Sequence, residues 1–190
     1  MKTRKNFGAK AHIYPQPVFI IASYDENGIP DAMNAAWGSV ADYTTIALYL
    51  NPAHKTIENI LNRKAFTVSM ATEDSMIESD YVGLVSANNV PDKLKKSGFN
   101  TTKSNFVDAP LIDELPMALE CELISYDSDT DLLLGKVINL CADESILDET
   151  GKIDPFKLKP IIFDSIHASY LTIGNKVGNA FNDGNKIKNK

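Results

Sequence analysis

The sequence has few of the residues that mark metal-binding, disulfide-stabilised or thiol-dependent proteins. Its 190 residues include two cysteines, three histidines and one tryptophan. Cys121 and Cys141 lie in apolar, strand-like runs, which favours two buried, inert free thiols over a disulfide. His12, His54 and His167 are far apart, and no CxxC or HxxxH pair occurs. The sequence therefore predicts no zinc site.

Strong positive charge and long apolar runs are also absent. The formal net charge is −6, which argues against a nucleic-acid-binding surface. No apolar run approaches the roughly 20 residues of a membrane-spanning helix, and the charged residues 1–6 lead into no signal-peptide core. There is no GxSxG or P-loop pattern to indicate a hydrolase or an NTPase. We therefore expect a cytoplasmic protein without a nucleic-acid or membrane partner.

What the sequence does contain is a series of short strand-like segments in one domain, residues 1–190, with frayed ends at about 1–10 and 185–190. β-branched and aromatic runs predict strands over 18–24, 31–41, 44–50, 65–70, 116–126 and 132–141, with a short strand ending near Ile173. Apolar periodicity predicts helices that begin at Thr56, as the N-cap, and that cover 75–85, 90–97 and a last turn at 176–181.

Tight polar turns join several of these strands, as at 25–28 and 127–131, and such turns favour antiparallel pairing. The number and spacing of the strands predict a mainly β fold, a closed or nearly closed β-barrel with a few peripheral helices. A doubly wound parallel sheet fits badly because strands rarely alternate with helices. No Gly-rich fingerprint follows the first strand either.

One candidate site is the small-residue run of the second predicted strand. Small side chains leave room above the backbone, where a flat ligand can hydrogen-bond to main-chain groups. The alternative is a sheet region packed closely against a helix, with the tryptophan as a core anchor. Taken alone, the run favours this alternative. The candidate residues are Met33, Asn34, Ala35, Ala36 and Trp37.

A second candidate site is the stretch NPAHKT, residues 51–56, which precedes a predicted helix. The first amides of a helix lack intrahelical partners and lie at the positive end of its dipole. Together with the Lys55 ammonium and the Thr56 hydroxyl, they suit a phosphate group. A solvated turn with a threonine N-cap explains the stretch equally simply. If the second and third strands pair, the two candidate sites lie close enough to hold one ligand with a ring and a phosphate, such as FMN.

The chain from Tyr14 to Phe181 resembles the flavin reductase-like, FMN-binding split-barrel proteins of the flavoredoxin type. The resemblance is carried by an ordered set of segments, which are PQPVFIIASYDENGIPDAMNAAWGSVAD, HKTIENI, AFTVSM, DYVGLVSANNVPDKLKKSGF, APLIDELPMALECEL, LGKVINL, DETGKID and YLTIGNKVGNAF. It implies a six-stranded, antiparallel split barrel that forms a homodimer and binds FMN near the dimer interface.

The resemblance also implies site residues. The isoalloxazine ring would contact residues 33–37, and the phosphate and ribityl chain would contact His54, Lys55 and Thr56. Further cofactor contacts would come from Asn51, Ser86 and Lys93. No catalytic residue and no metal ligand is implied.

The chain departs from the family pattern at three places. Asp31 and Ser69 stand where asparagine is common, and no glycine follows Ser86. A carboxylate beside a flavin would disfavour the anionic reduced form, so Asp31 is expected to shift the potential.

Three functions remain open from the sequence. They are an oxidoreductase that takes a hydride from NADH or NADPH, an electron-transfer flavoprotein that exchanges electrons with a protein partner, and a barrel that has lost its cofactor.

Overall fold

The computed structural model describes residues 2–188, and its strands pair antiparallel throughout. In chain order the strands are β1 (Phe19–Tyr24), β2 (Pro30–Ala35), β3 (Gly38–Asp42), β4 (Thr45–Tyr49), β5 (Ala65–Met70), β6 (Thr101–Lys103), β7 (Pro110–Ile112), β8 (Met117–Asp127), β9 (Leu132–Ala142), β10 (Ile161–Asp164) and β11 (Ser169–Thr172). The helices are α1 (Lys55–Arg63), α2 (Met76–Leu84), α3 (Lys93–Ser97), α4 (Pro155–Leu158) and α5 (Asn185–Lys188), with a 3₁₀ turn at Glu144–Ile146. The predicted mainly β, antiparallel fold is confirmed.

The main sheet is curled so that its two edge strands approach each other at one corner. Its strand order is β2-β1-β5-β8-β9-β4-β3, and only Ala36 and Trp37 separate the two edge strands in the chain. This connection spans at most about 11 Å, so the end of one edge strand lies close to the start of the other. A Cβ atom on Gly38 would stand 2.6 Å from Leu48 Cδ2 and 3.0 Å from Phe19 Cε2, so glycine is required at this seam. The sheet is therefore a curled half-barrel.

The prediction of one continuous strand over 31–41 is wrong. The backbone leaves the sheet at 36–37, where it passes from one edge strand to the other, and the main sheet consequently has seven strands rather than six. The predicted pairing of the second and third strands holds only for β3, which pairs with β4, while β2 pairs with β1.

Several helix boundaries also differ from the prediction. Helix α1 begins at Lys55 and its N-cap is His54, so Thr56 is not the N-cap. Helix α2 is confirmed, whereas α3 is shorter than predicted because residues 86–92 form hydrogen-bonded turns. No helical turn covers 176–181. The short strand near Ile173 is confirmed as β11, which ends at Thr172.

The chain ends were predicted to be frayed. Residues 2–10 are exposed and have no helix or strand, and residues 185–188 form the exposed helix α5. Met1, Asn189 and Lys190 lie outside the described residues.

Two apolar layers lie on the two faces of the sheet. The layer inside the curl is closed by α1 and is built from residues such as Ile21, Ile46, Ile57, Phe66 and Leu133. The outer layer lies under α2, α3 and the short hairpins, and it contains residues such as Val18, Ile20, Val82, Phe99 and Ile161. The faces alternate along β1 as the strand period requires.

Both cysteines are free thiols, as the sequence predicts. Cys121 is buried, and burial raises the pKa of its thiol to about 12. Cys141 is half-buried, and burial also raises its pKa. Among residues 2–188, no group of His, Cys, Asp and Glu side chains is placed to hold a metal ion. None of the described helices has the length and apolar character to cross a bilayer.

Candidate functional site

The structure brings every predicted site residue to two adjoining cavities at the seam of the half-barrel. The cavities share Met33, Asn34 and His54. The first, here called the ring cavity, has a volume of about 170 Å³ and is lined by residues 33–37, Tyr49, Leu50, Asn51 and His54. The second, here called the anion cavity, has a volume of about 180 Å³ and is lined by Met33, Asn34, residues 54–56, residues 82–86 and Lys93.

The ring cavity lies where β2 leaves the sheet. Met33 and Ala35 are buried on the inner face. Trp37 is 66% exposed, so the interpretation of this residue as a core anchor is wrong. Its carbonyl oxygen accepts a hydrogen bond from the Tyr49 amide at 2.9 Å, which fixes the wall of the cavity.

The alternative of close helix packing is correct for one face of β2. Helix α2 lies on this strand, and the Asn34 amide group donates to the Ser79 carbonyl oxygen at 3.0 Å. A Cβ atom on Gly83 would stand 2.8 Å from Asn34 Cβ. The small residues thus admit a helix, and the ring cavity lies beside the same stretch.

The anion cavity lies at the first turn of α1. The Lys55 and Thr56 amides have no hydrogen-bond acceptor among the described residues, as expected at a helix start. Burial and the nearby Lys93 ammonium lower the pKa of His54, so its imidazole is neutral at pH 7. Lys55 Nζ donates to Glu58 Oε1 at 2.7 Å in a partly exposed ion pair.

Lys93 is the buried cation of the anion cavity. Its Nζ atom lies 3.1 Å from Asp31 Oδ1, with 3% and 6% of the two side chains exposed. This contact is an ion pair without hydrogen-bond geometry at Oδ1. Lys93 also donates to the Val85 carbonyl oxygen at 3.3 Å. The sequence did not predict the partnership with Asp31, because these residues lie far apart in the chain.

The Thr56 hydroxyl already donates a hydrogen bond within the protein. It donates to Asp31 Oδ2 at 2.6 Å, and Thr56 is buried. Thr56 therefore offers a ligand its backbone amide rather than its hydroxyl proton. Asp31 in turn is held by Thr56 and Lys93 and lines neither cavity, so it is not an unpaired carboxylate beside a ligand.

The remaining predicted residues shape turns. Asn51 Oδ1 accepts from the Ala53 amide at 3.0 Å, and Ser86 Oγ accepts from the Asn88 amide at 3.2 Å. Ser69 is buried, lines neither cavity, and its hydroxyl has no partner among the described residues. Residues 82–85 were not predicted as site residues; they line the anion cavity because α2 packs on β2.

Comparison with known proteins gives the family. The model of the flavin reductase like domain matches residues 11–163. A flavoredoxin of Desulfovibrio vulgaris (Miyazaki F) is 33% identical, with a TM-score of 0.91 over 96% of this chain and 100% of that chain. A flavoredoxin from Methanosarcina acetivorans is 26% identical, with a TM-score of 0.84 over 98% of this chain and 99% of that chain. Nitrilotriacetate monooxygenase component B from Bacillus cereus shares the fold, at 21% identity and a TM-score of 0.72 over 87% and 88% of the two chains. The chain therefore belongs to the family of flavin reductase-like domains.

Proposed function

We propose that the chain binds FMN, with the isoalloxazine in the ring cavity and the phosphate in the anion cavity. We propose further that it is an oxidoreductase that uses NADH or NADPH as hydride donor for an acceptor. The observation that carries the proposal is the junction of the two cavities at Met33, Asn34 and His54. When bound, FMN supplies hydride and single-electron transfer chemistry.

The residues present fit the two ends of this ligand. Buried Met33 and Ala35 and the exposed indole of Trp37 provide apolar surface for a flat ring. The free amides at the start of α1, the Lys93 ammonium and the Ser86 hydroxyl provide donors for an anion. The combined volume of the two cavities lies at the lower end of the roughly 300–1,000 Å³ that is typical of ligand sites.

The protein's own contribution is to bind and orient. Asp31 and the Val85 carbonyl hold Lys93 in place, and a fixed ammonium can orient an anion without reorganising. Lys55 can turn from Glu58 to a phosphate at small cost because their ion pair is partly exposed. Neutral His54 offers a ring N–H as a further donor. We assign no catalytic acid or base.

A second candidate function is electron transfer between protein partners. It is supported by the 33% identity to a flavoredoxin over nearly the whole chain. The two candidates differ in the electron donor. Anaerobic addition of NADH or NADPH to the FMN-loaded protein will bleach the flavin absorption of an oxidoreductase, whereas a carrier will bleach only with a reduced carrier protein.

We also propose that the chain forms a homodimer. Apolar side chains are exposed on the paired strands β3, β4 and β9 and on the turn between β3 and β4. An exposed apolar surface of this kind marks an interaction site. In a symmetric oligomer, a second copy of the chain buries it. The exposed residues are Val40, Tyr43, Tyr49, Ile138 and Leu140. Two free thiols further support a reducing, cytoplasmic location.

The decisive experiment is the visible spectrum of the purified protein, followed by titration with FMN. Flavin absorption bands or saturable uptake of FMN are expected. A colourless protein that takes up no added FMN would refute the proposal. Riboflavin, which has the ring but no phosphate, is the control ligand. It is expected to bind more weakly than FMN because it has no group to occupy the anion cavity.

A further inference from the structure

A third cavity adjoins the two already described and lies outside the FMN site proposed above. It has a volume of about 220 Å³ and shares Asn34 and Ala36 with the ring cavity. It also shares Gly83 and Leu84 with the anion cavity. Its remaining walls are Asp80 of α2 and the aromatic side chains of Phe163 and Tyr170. We call it the aromatic cavity.

The shape and lining of the aromatic cavity suit one ring. The Phe163 and Tyr170 rings stand 6.1 Å apart between centroids with their planes tilted by 51°. A third ring can add to such a pair in stacked or edge-on geometry. The cavity, with a volume of about 220 Å³, has room for an aromatic ring packed against these two side chains.

Asp80 is the charged residue in the lining of the aromatic cavity. Its side chain is half-buried, and Oδ1 accepts a hydrogen bond from the Tyr170 hydroxyl at 2.7 Å. Among the described residues, Oδ2 accepts no hydrogen bond and no Lys, Arg or His forms an ion pair with Asp80. Oδ2 is not a buried, unpaired atom, so it remains accessible to a donor that a ligand supplies.

Tyr170 keeps this arrangement fixed. Burial raises the pKa of its phenol to about 12, and the hydrogen bond to Asp80 acts in the same direction. The hydroxyl therefore stays protonated at neutral pH and continues to donate to Oδ1. The open Oδ2 atom is left as the acceptor that a ligand would meet.

We propose that the aromatic cavity binds the second reactant, a single aromatic ring that carries a positive charge or an N–H donor directed at Asp80. A ring that carries a carboxylate is disfavoured there. The role as reactant rests on the proposed FMN site, because the shared Asn34 and Ala36 place the guest beside the ring cavity. The charge preference rests on Asp80 alone.

Three probes of one shape test the inference. They are 1-methylnicotinamide, nicotinamide and nicotinate, which are a cation, a neutral N–H donor and an anion. Each is titrated into the full chain, with and without FMN, while the NMR signals of the Phe163 and Tyr170 rings are followed. The cation is expected to bind at least tenfold more tightly than the anion, with shifts centred on these two rings.

Asp80→Asn is expected to remove most of this preference. The control is Asp74→Asn, which changes a carboxylate that is 82% exposed and is expected to leave the preference unchanged. Equal binding of cation and anion in the unmodified chain would overturn the inference even if Asp80→Asn does not fold. A preference that survives in a folded Asp80→Asn protein would also overturn it.

The visible spectrum of the same samples separates this inference from the proposed function. A charge preference at Phe163 and Tyr170 without any uptake of FMN would support the cavity's preference and refute the FMN site. Uptake of FMN without a charge preference would refute only the inference made here.

Discussion

Lys93 Nζ lies 3.1 Å from Asp31 Oδ1, and both side chains are almost wholly buried. Removing one member of such a pair leaves an uncompensated charge in the interior, which typically costs about 3–5 kcal/mol. We therefore expect Lys93→Met to lower the free energy of unfolding by about that amount in urea titrations. Adding Asp31→Asn to this variant should restore much of the loss, because the buried carboxylate is then gone.

A matched control lies one turn further along α3. Lys96 forms an ion pair with Asp92 at 2.9 Å, but 55% of each side chain is exposed. Lys96→Met should therefore destabilise the protein far less than Lys93→Met does. Equal losses in the two variants would show that the buried pair has no special weight.

The Lys55 side chain should contribute to FMN affinity only through its contact with the phosphate. Lys55→Ala is expected to weaken FMN binding by about 1–3 kcal/mol, because a charge-assisted contact is lost. Riboflavin affinity should be unchanged in the same variant. Isothermal titration of both ligands measures the difference, with the exposed Lys95→Ala as the control. An equal loss for riboflavin would remove Lys55 from the phosphate site.

Trp37 offers a direct optical report on the ring cavity. It is the only tryptophan of the chain and lines this cavity. A flavin bound beside it should quench its fluorescence, because tryptophan emission overlaps flavin absorption. Titration with FMN should therefore give a saturable loss of emission, with the same midpoint as the uptake measured by absorbance. An unchanged emission at saturating FMN would place the ring elsewhere.

Asp164 is expected to make the fold sensitive to acid. The Tyr14 hydroxyl donates a hydrogen bond to its carboxylate and His167 adds a second, so the folded-state pKa lies well below the usual range. A depressed folded pKa stabilises the protein above the unfolded pKa of about 3.9, and this contribution is lost as the pH falls below it.

Urea titrations between pH 7 and pH 3 measure this effect. Tyr14→Phe removes the largest cause of the shift, so the variant should lose less stability than the unmodified chain over the same interval. Parallel pH profiles for the two proteins would contradict the assignment.

The proposed homodimer should depend on the exposed side chains of the sheet. Val40 is 74% exposed on β3, and Val40→Glu should shift the protein to a monomer in light scattering after gel filtration. The control is Ile77→Glu, which introduces the same charge at a residue of α2 that is 72% exposed. Dissociation by both variants, or by neither, would contradict a dimer interface on this face.

The curled sheet was predictable because each strand carries a local signal. The turn with Gly28 and the polar turn at 127–131 mark hairpins that the structure contains. The break at Ala36 and Trp37 carries no such signal. Small residues suit a continuous strand and a crossing between sheet edges equally, and only the pairing of distant strands decides between them.

The site was predictable to a similar extent. The small-residue run and the start of α1 have local patterns, and both line the adjoining cavities. The Lys93–Asp31 pair and the commitment of Thr56 to Asp31 depend on packing between elements that are far apart in the chain. No local pattern marks such contacts, so they emerge only from the folded chain.

The closure of the sheet at 36–37 has a consequence for ligand-linked stability. Strands β2 and β3 are neighbours in sequence, yet every other strand of the main sheet lies between them in the pairing order. The ring cavity lies at this seam, so a ligand held there binds the native arrangement of the sheet. Its stabilisation should follow the full mass-action term, about 2.7 kcal/mol at a hundredfold excess over Kd. Thermal melting is thus a sensitive assay for whatever this seam binds.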